Sequence, residues 1–237
     1  MGTYTMTTSR TNNGVIPVMT LIVMMRNKNG IVVAGDSSAA LGADPDDPKL
    51  GGIIPGTFKK VTEVTENAIL MAAGHGAICD VLASALKDAC HKSSKSYIDE
   101  VAKTLEFVLL TPVARILRGY VLTLAGINRG GQQLVYRFSD QVAMAVPSEL
   151  PFYADGYSWL AAYHYVHFYK DSMTLEAMTQ LAVLLITETS KIFPREVGGK
   201  INIVTLADKM TRPTEAEIKK LEKKNEAVLK KLNKLII

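Results

Sequence analysis

The chemistry of this chain is read first at Thr20, which opens the strand-like run TLIVMM, and a second apolar run, GIVVAGD, ends in an acid at Asp36. A threonine hydroxyl is a weak nucleophile until a base takes its proton. If residues 1–19 are removed, or if translation starts at Met19 and the initiator is trimmed, Thr20 carries a free α-amino group. That amine titrates at roughly 7.7 to 8.0, so nucleophile and base share one residue at neutral pH. Alone, a threonine at the start of a strand is ordinarily just a strand residue. The surrounding pattern has to carry the argument.

Composition sets the frame. The 237 residues are 48% apolar, enough to bury a core as one domain with a short appendage. Net charge is +4, but nine lysines lie between Lys200 and Lys234, spaced as a solvated helix face without interleaved aromatics. That pattern argues against nucleic acid as a partner. Cys79 and Cys90 make no CxxC or metal pattern and read as buried thiols of a reducing compartment. No apolar run is long enough to span a bilayer, and residues 1–19 lack the apolar core of a signal peptide. That stretch is expected to be a propeptide, a leader or a misassigned start.

The elements that must position Thr20 follow from apolar spacing. Runs at 20–25 and 30–35, joined through Asn29-Gly30, predict a hairpin. A Gly/Pro/Asp-rich loop spans 39–56, and strands are expected at 59–65 and 68–73, ended by Gly74. Helical spacing covers 78–92 and 97–117. A second hairpin is expected from 121–128 and 133–139, then helices at 158–169 and 174–190, and a strand at 200–206. Strand runs alternating with helix pairs suit an α+β fold, a four-layer αββα sandwich of two antiparallel sheets flanked by helix pairs.

From Thr20 to about Leu206 the chain resembles a proteasome β-type subunit of the N-terminal nucleophile hydrolase superfamily. The resemblance rests on an ordered set. Thr20 and Asp36 are 16 residues apart in GIVVAGDSSAALG, Lys60 lies in FKKVTEV, and Gly74 of LMAAGHG follows 14 residues later. GYVLTLAGIN and SMTLEAM are similar to the family's central strand and a later helix opener. The resemblance implies the N-terminal nucleophile hydrolase fold over 20–210. It implies Thr20 as nucleophile and base, Lys60 as the cation that eases deprotonation, Asp36 as its orienter, and the Gly74 N–H as oxyanion donor. It also assigns Ala40, Gly42, Ala72 and Gly76 to substrate binding, all small, for a roomy pocket that accepts bulky apolar residues.

Four departures qualify that pattern. The 40 residues from Thr20 to Lys60 exceed the family's spacing, and the surplus fits the loop ADPDDPKLGGIIPG, which a surface can absorb. Asp155 stands where the family has a serine supporting the threonine amine, with Ser158 the nearest hydroxyl, so Asp155 or Glu196 is the candidate support. KIFPREVGG keeps Gly198-Gly199 but no aspartate precedes them, and Met19 replaces the glycine at which self-processing members cut. His75, His164 and His167 read as packing residues rather than ligands; neither a metal nor a cofactor is expected.

Beyond Asp208, Thr214 and Glu217 form a capping box behind Pro213. Ile218, Leu221, Asn225, Val228, Leu232 and Leu235 make a short seam, so 211–237 is expected to be an amphipathic helix on a neighbouring subunit or between rings, with folding back as the alternative. Three functions remain open: a cytoplasmic threonine peptidase, a catalytically silent structural subunit, and a transpeptidase or amidase using the same acyl-threonine. The first implies unfolded protein as substrate, a homo-oligomeric ring or stack, and an unfoldase ATPase as partner, with no nucleic acid and no membrane.

Overall fold

The computed structural model describes residues 20–40, 53–54, 58–74, 76–112, 114, 120–142, 144–156, 158–194 and 197–236. The two expected hairpins form: β1 (Leu21–Asn27) with β2 (Gly30–Gly35), and β7 (Tyr120–Ile127) with β8 (Gln133–Ser139). In each turn an asparagine carboxamide accepts backbone N–H groups, Asn27 from Asn29 and Asn128 from Gly130 and Gln132. Such local bonds are why Asn marks turns.

Two five-stranded antiparallel sheets result. The first runs β10 (Phe152–Gly156), β1, β2, β11 (Asn202–Leu206), β12 (Met210–Thr211). The second runs β5 (Val61–Thr65), β6 (Ala68–Gly74), β7, β8, β9 (Val146–Pro147). A short pair, β3 (Ala39–Ala40) and β4 (Ile53–Ile54), stands apart. The helices are α1 (Gly76–Lys92), α2 (Ile98–Leu109), α3 (Ser158–Phe168), α4 (Leu175–Ile192) and α5 (Glu215–Ile236).

The period-two alternation of a strand explains how β1 can be apolar on both faces. Ile22 and Met24, with Ile31 and Val33, pack against Val61, Ile69, Met71 and Ala125 of the second sheet. Leu21, Val23 and Met25 turn the other way, onto Ala161 of α3 and Met178, Leu181, Ala182 and Leu185 of α4. The second sheet likewise puts Leu70, Leu122, Leu124 and Phe138 against Leu82, Leu86, Ile98, Val101 and Leu105 of α1 and α2. The chain is thus a mixed α+β molecule in which two antiparallel sheets share one apolar layer. Among the described residues no helix is long and apolar enough to cross a membrane.

Two elements depart from the sequence expectation. Helix α2 stops at Leu109 rather than running unbroken to 117: Thr111 precedes Pro112, a position that disfavours helix, and Pro112 and Ala114 are helical again. Residues 152–156, for which the sequence suggests no strand, form edge strand β10, whose Phe152 and Ala154 face the helices while Tyr153 joins the layer between the sheets.

Helix α5 folds back on its own domain. Ile218 and Leu221 join the α4 cluster, and Asn225 is 5% exposed. Gln180 Nε2 donates to Asn225 Oδ1 at 2.9 Å, and Asn225 Nδ2 donates to the Gln180 carbonyl at 3.1 Å. The seam amide is therefore satisfied within the chain. The expected capping box closes the start of α5, where Thr214 N donates to Glu217 Oε2 and Glu217 N donates to Thr214 Oγ1.

Candidate active site

Register brings Thr20 and Asp36 together. Ile22 lies opposite Gly35 in the first hairpin, so the residues just outside it, Thr20 before β1 and Asp36 after β2, meet at one end of the sheet. Asp36 N donates to the Leu21 carbonyl at 3.2 Å, and Leu21 N returns a 2.9 Å bond to Asp36 Oδ1. The Thr20 hydroxyl donates to the same oxygen at 3.2 Å. Both residues are buried, at 2% and 0% exposure.

Lys60 reaches this oxygen from the other sheet. It immediately precedes β5, its carbonyl accepts Ala72 N at 2.9 Å, and its Nζ lies 2.6 Å from Asp36 Oδ1. At 8% exposure the ammonium is nearly dry. Burial lowers its pKa from the usual lysine range, and the charge and hydrogen bond of Asp36 oppose that. On α1, buried Cys79 feels the positive charge of Lys60, yet burial pushes its thiol up to about 12.

The second oxygen of Asp36 is held by backbone. Ser38 N donates at 3.1 Å and Gly198 N at 3.2 Å. The Gly198 carbonyl in turn accepts Ser37 N and Ser38 N, each at 3.1 Å, and the Ser37 hydroxyl accepts Lys200 N at 2.7 Å. Five donors thus converge on one carboxylate: Thr20 Oγ1, Leu21 N, Lys60 Nζ, Ser38 N and Gly198 N. The role of Ser38 and the strap through Gly198 carry no side-chain signature in the sequence, because they act through main-chain atoms; Ser37 adds its hydroxyl as the acceptor for Lys200 N. The adjacency of two serines to Asp36 was the available signal.

Gly74 ends β6 at φ +125°, a region that side chains with Cβ rarely adopt. It is half-buried, so its backbone can be approached from outside. The remaining candidates sort unevenly. Gly76 begins α1, and a Cβ there would run into the Phe58 ring. Ala72 packs with Cys79 and Leu82 in the helix-facing core, leaving little surface for a substrate. Ala40 lies in β3 opposite Ile53. Gly42, His75 and Glu196 fall outside the described residues.

Asp155 shows no bond to Thr20. Its Oδ2 accepts the Tyr153 hydroxyl at 3.2 Å and its Oδ1 accepts Gly156 N at 2.7 Å. Gly156 has φ +80° and lies against the Thr20 carbonyl so closely that a Cβ would overlap it. His164 stacks on Phe168 and His167 meets Tyr163 edge-on, which is aromatic packing. Among the described residues no three of His, Cys, Asp and Glu come together as a metal site.

The chemical capacity of the site is specific. A hydroxyl and an ammonium share one carboxylate oxygen in a region where water is excluded, and a low-dielectric setting strengthens each charge. Comparison with protein-family models finds no match, and no curated protein matches the chain.

Proposed function

We propose that this chain is a threonine peptidase of the N-terminal nucleophile type, similar to proteasome β-type subunits and built on their four-layer αββα fold. The observation that carries the reading is the buried cluster of Thr20, Asp36 and Lys60 at the seam between two sheets. The helix-covered sheets that share one apolar layer support the fold assignment.

In this reading the chain is released at Thr20. The amine takes the hydroxyl proton, and Oγ1 attacks the scissile carbonyl carbon of a peptide. Electrons pass to the carbonyl oxygen, which receives the Gly74 N–H. The C–N bond breaks, the leaving amine takes the proton, and water then hydrolyses the Thr20 ester to free acid and hydroxyl. Lys60 stays charged throughout and offsets the negative charge that develops at Oγ1. Asp36 holds both groups in register by accepting from Thr20 Oγ1 and Lys60 Nζ. The working protein would be a cytoplasmic homo-oligomeric ring or stack acting on unfolded protein delivered by an unfoldase.

A silent structural subunit is the second reading. Asp155, the expected support for the amine, is engaged by Tyr153 and Gly156 instead. Intact mass of protein made from the full reading frame, with and without an epoxyketone or β-lactone probe, decides between them. A chain starting at Thr20 that gains one probe mass, and fails to in Thr20→Ala, supports the peptidase. A chain with residues before Thr20 retained and no adduct favours the structural subunit.

A further inference from the structure

Edge strand β10 carries a polar relay that the chemistry above leaves unused. Tyr153 is buried between the sheets, where its hydroxyl donates to Asp155 Oδ2 at 3.2 Å. Thr123 pairs in register with Arg137 of β8, whose guanidinium carbon lies 4.8 Å over the Tyr153 ring. The second sheet therefore contacts β10 across the layer through a cation–π contact on the Tyr153 ring. The approach to β10 is pinned as well. Arg26 donates to the carbonyls of Gln133, Ser148 and Leu150, and its N–H meets the Pro151 carbonyl.

The grip bears on Thr20 by geometry. Asp155 lies opposite Ile22, and strand alternation puts Asp155 on the same face as Thr20, one diagonal step away. Each carboxylate oxygen keeps a second lone pair after binding Tyr153 or Gly156 N. An ammonium at Thr20 N would find that carboxylate as its acceptor on the neighbouring strand.

We propose that Tyr153 is a positioning residue for acyl transfer: through its hydroxyl it fixes the Asp155 carboxylate so that it can hold the Thr20 amine. The proposal rests on the peptidase reading. It adds a residue that acts through Asp155 and never touches substrate. Arg137 contributes packing over the ring and no chemistry.

The test compares wild type, Tyr153→Phe, Asp155→Asn, the double variant and Arg137→Ala, all as full chains. Each is assayed for β-lactone adduct by intact mass and for hydrolysis of a fluorogenic peptide amide ending in a bulky apolar residue. Tyr153→Phe is expected to lower kcat about tenfold, since a small misplacement near a reacting group is costly, with KM within about twofold. The double variant should be no slower than Asp155→Asn alone, and Arg137→Ala, which loosens the ring but leaves its hydroxyl in place, should lose less kcat than Tyr153→Phe. Ultraviolet absorbance titration gives a readout besides turnover: one tyrosine should ionise at lower pH in Asp155→Asn, where the adjoining negative charge is gone. Undiminished kcat in Tyr153→Phe, or losses that multiply in the double variant, would overturn the proposal while leaving the peptidase standing. A wild-type chain that takes no adduct overturns the peptidase reading and this role together.

Discussion

Removing either member of the Asp36–Lys60 pair should have very unequal consequences for stability. Asp36 accepts five donors, so Asp36→Asn strands the Lys60 ammonium and turns a carboxamide N–H₂ toward groups that only donate, such as Ser38 N and Gly198 N. Breaking a buried ion pair from one side costs about 3–5 kcal/mol, and each orphaned buried donor adds about 1–3 kcal/mol. Some of the bonds survive on the remaining carbonyl oxygen, so the expected loss is about 4–6 kcal/mol, a large share of a typical domain's stability. Lys60→Met keeps most of the side-chain volume and leaves Asp36 with its other four donors, for an expected loss of about 1–3 kcal/mol. In Asp36→Asn/Lys60→Met the stranded charge is gone, so the double variant should be more stable than Asp36→Asn alone. Urea unfolding followed by far-ultraviolet circular dichroism measures all three. If Lys60→Met proves as damaging as Asp36→Asn, or the two losses simply add, the claim that the carboxylate is the hub of this site fails.

Other outcomes follow from single positions. Gly156→Ala places a Cβ on the Thr20 carbonyl at φ +80°, so soluble yield and melting temperature should fall sharply; a variant as stable as wild type would show that β10 does not abut Thr20. Gly74→Ala, at φ +125°, should cost about 1–3 kcal/mol of stability and, in an active chain, about 100-fold or more in kcat. Cys79 should resist iodoacetamide at mildly alkaline pH in the folded chain and react once urea unfolds it, because its thiol is held up to about 12. Asn225→Ala removes the acceptor of the Gln180 side-chain N–H and the donor to the Gln180 main-chain carbonyl, and should cost about 1–3 kcal/mol by urea midpoint.

Much of the scaffold was legible because strands and helices announce themselves through period. The β1–β2 and β7–β8 hairpins fell where alternating apolar runs flank Asn- and Gly-bearing turns. The meeting of Thr20, Asp36 and Lys60 followed from the resemblance and the hairpin register. Edge strand β10 was missed because five residues with a central alanine and a charged end carry little β signal; only tertiary pairing with β1 makes them a strand. The Gly198 strap was hidden for a different reason. Its bonds come from backbone N–H and C=O groups, which every residue owns, so no side-chain type marks them. The α5 seam was visible, but its periodicity could not say which surface it covers; the Gln180 carboxamide that answers Asn225 lies 45 residues away.

The pH dependence of folding separates two neighbouring buried groups, Lys60 and Cys79. For Lys60 the folded value is below the ordinary 10.5, so between the two values the unfolded chain binds more protons and stability rises with pH. Cys79 has the opposite sign: between its ordinary 9.0 and about 12 the folded chain holds the extra proton, and stability falls as pH rises. Above pH 9 the two slopes oppose one another in the wild type. Cys79→Ala removes the falling contribution, so its urea midpoint relative to wild type should climb as pH is raised past 9.0, while Lys60→Met should lose ground over the window that ends at 10.5. Parallel curves for wild type and both variants would mean that neither group is buried as placed. A buried ion pair is a poor way to gain stability, since well-packed apolar residues of like volume often do as well or better. The presence of a dry lysine on a five-donor carboxylate, with a threonine hydroxyl on the same oxygen, is therefore better accounted for by the chemistry it can support than by the stability it contributes.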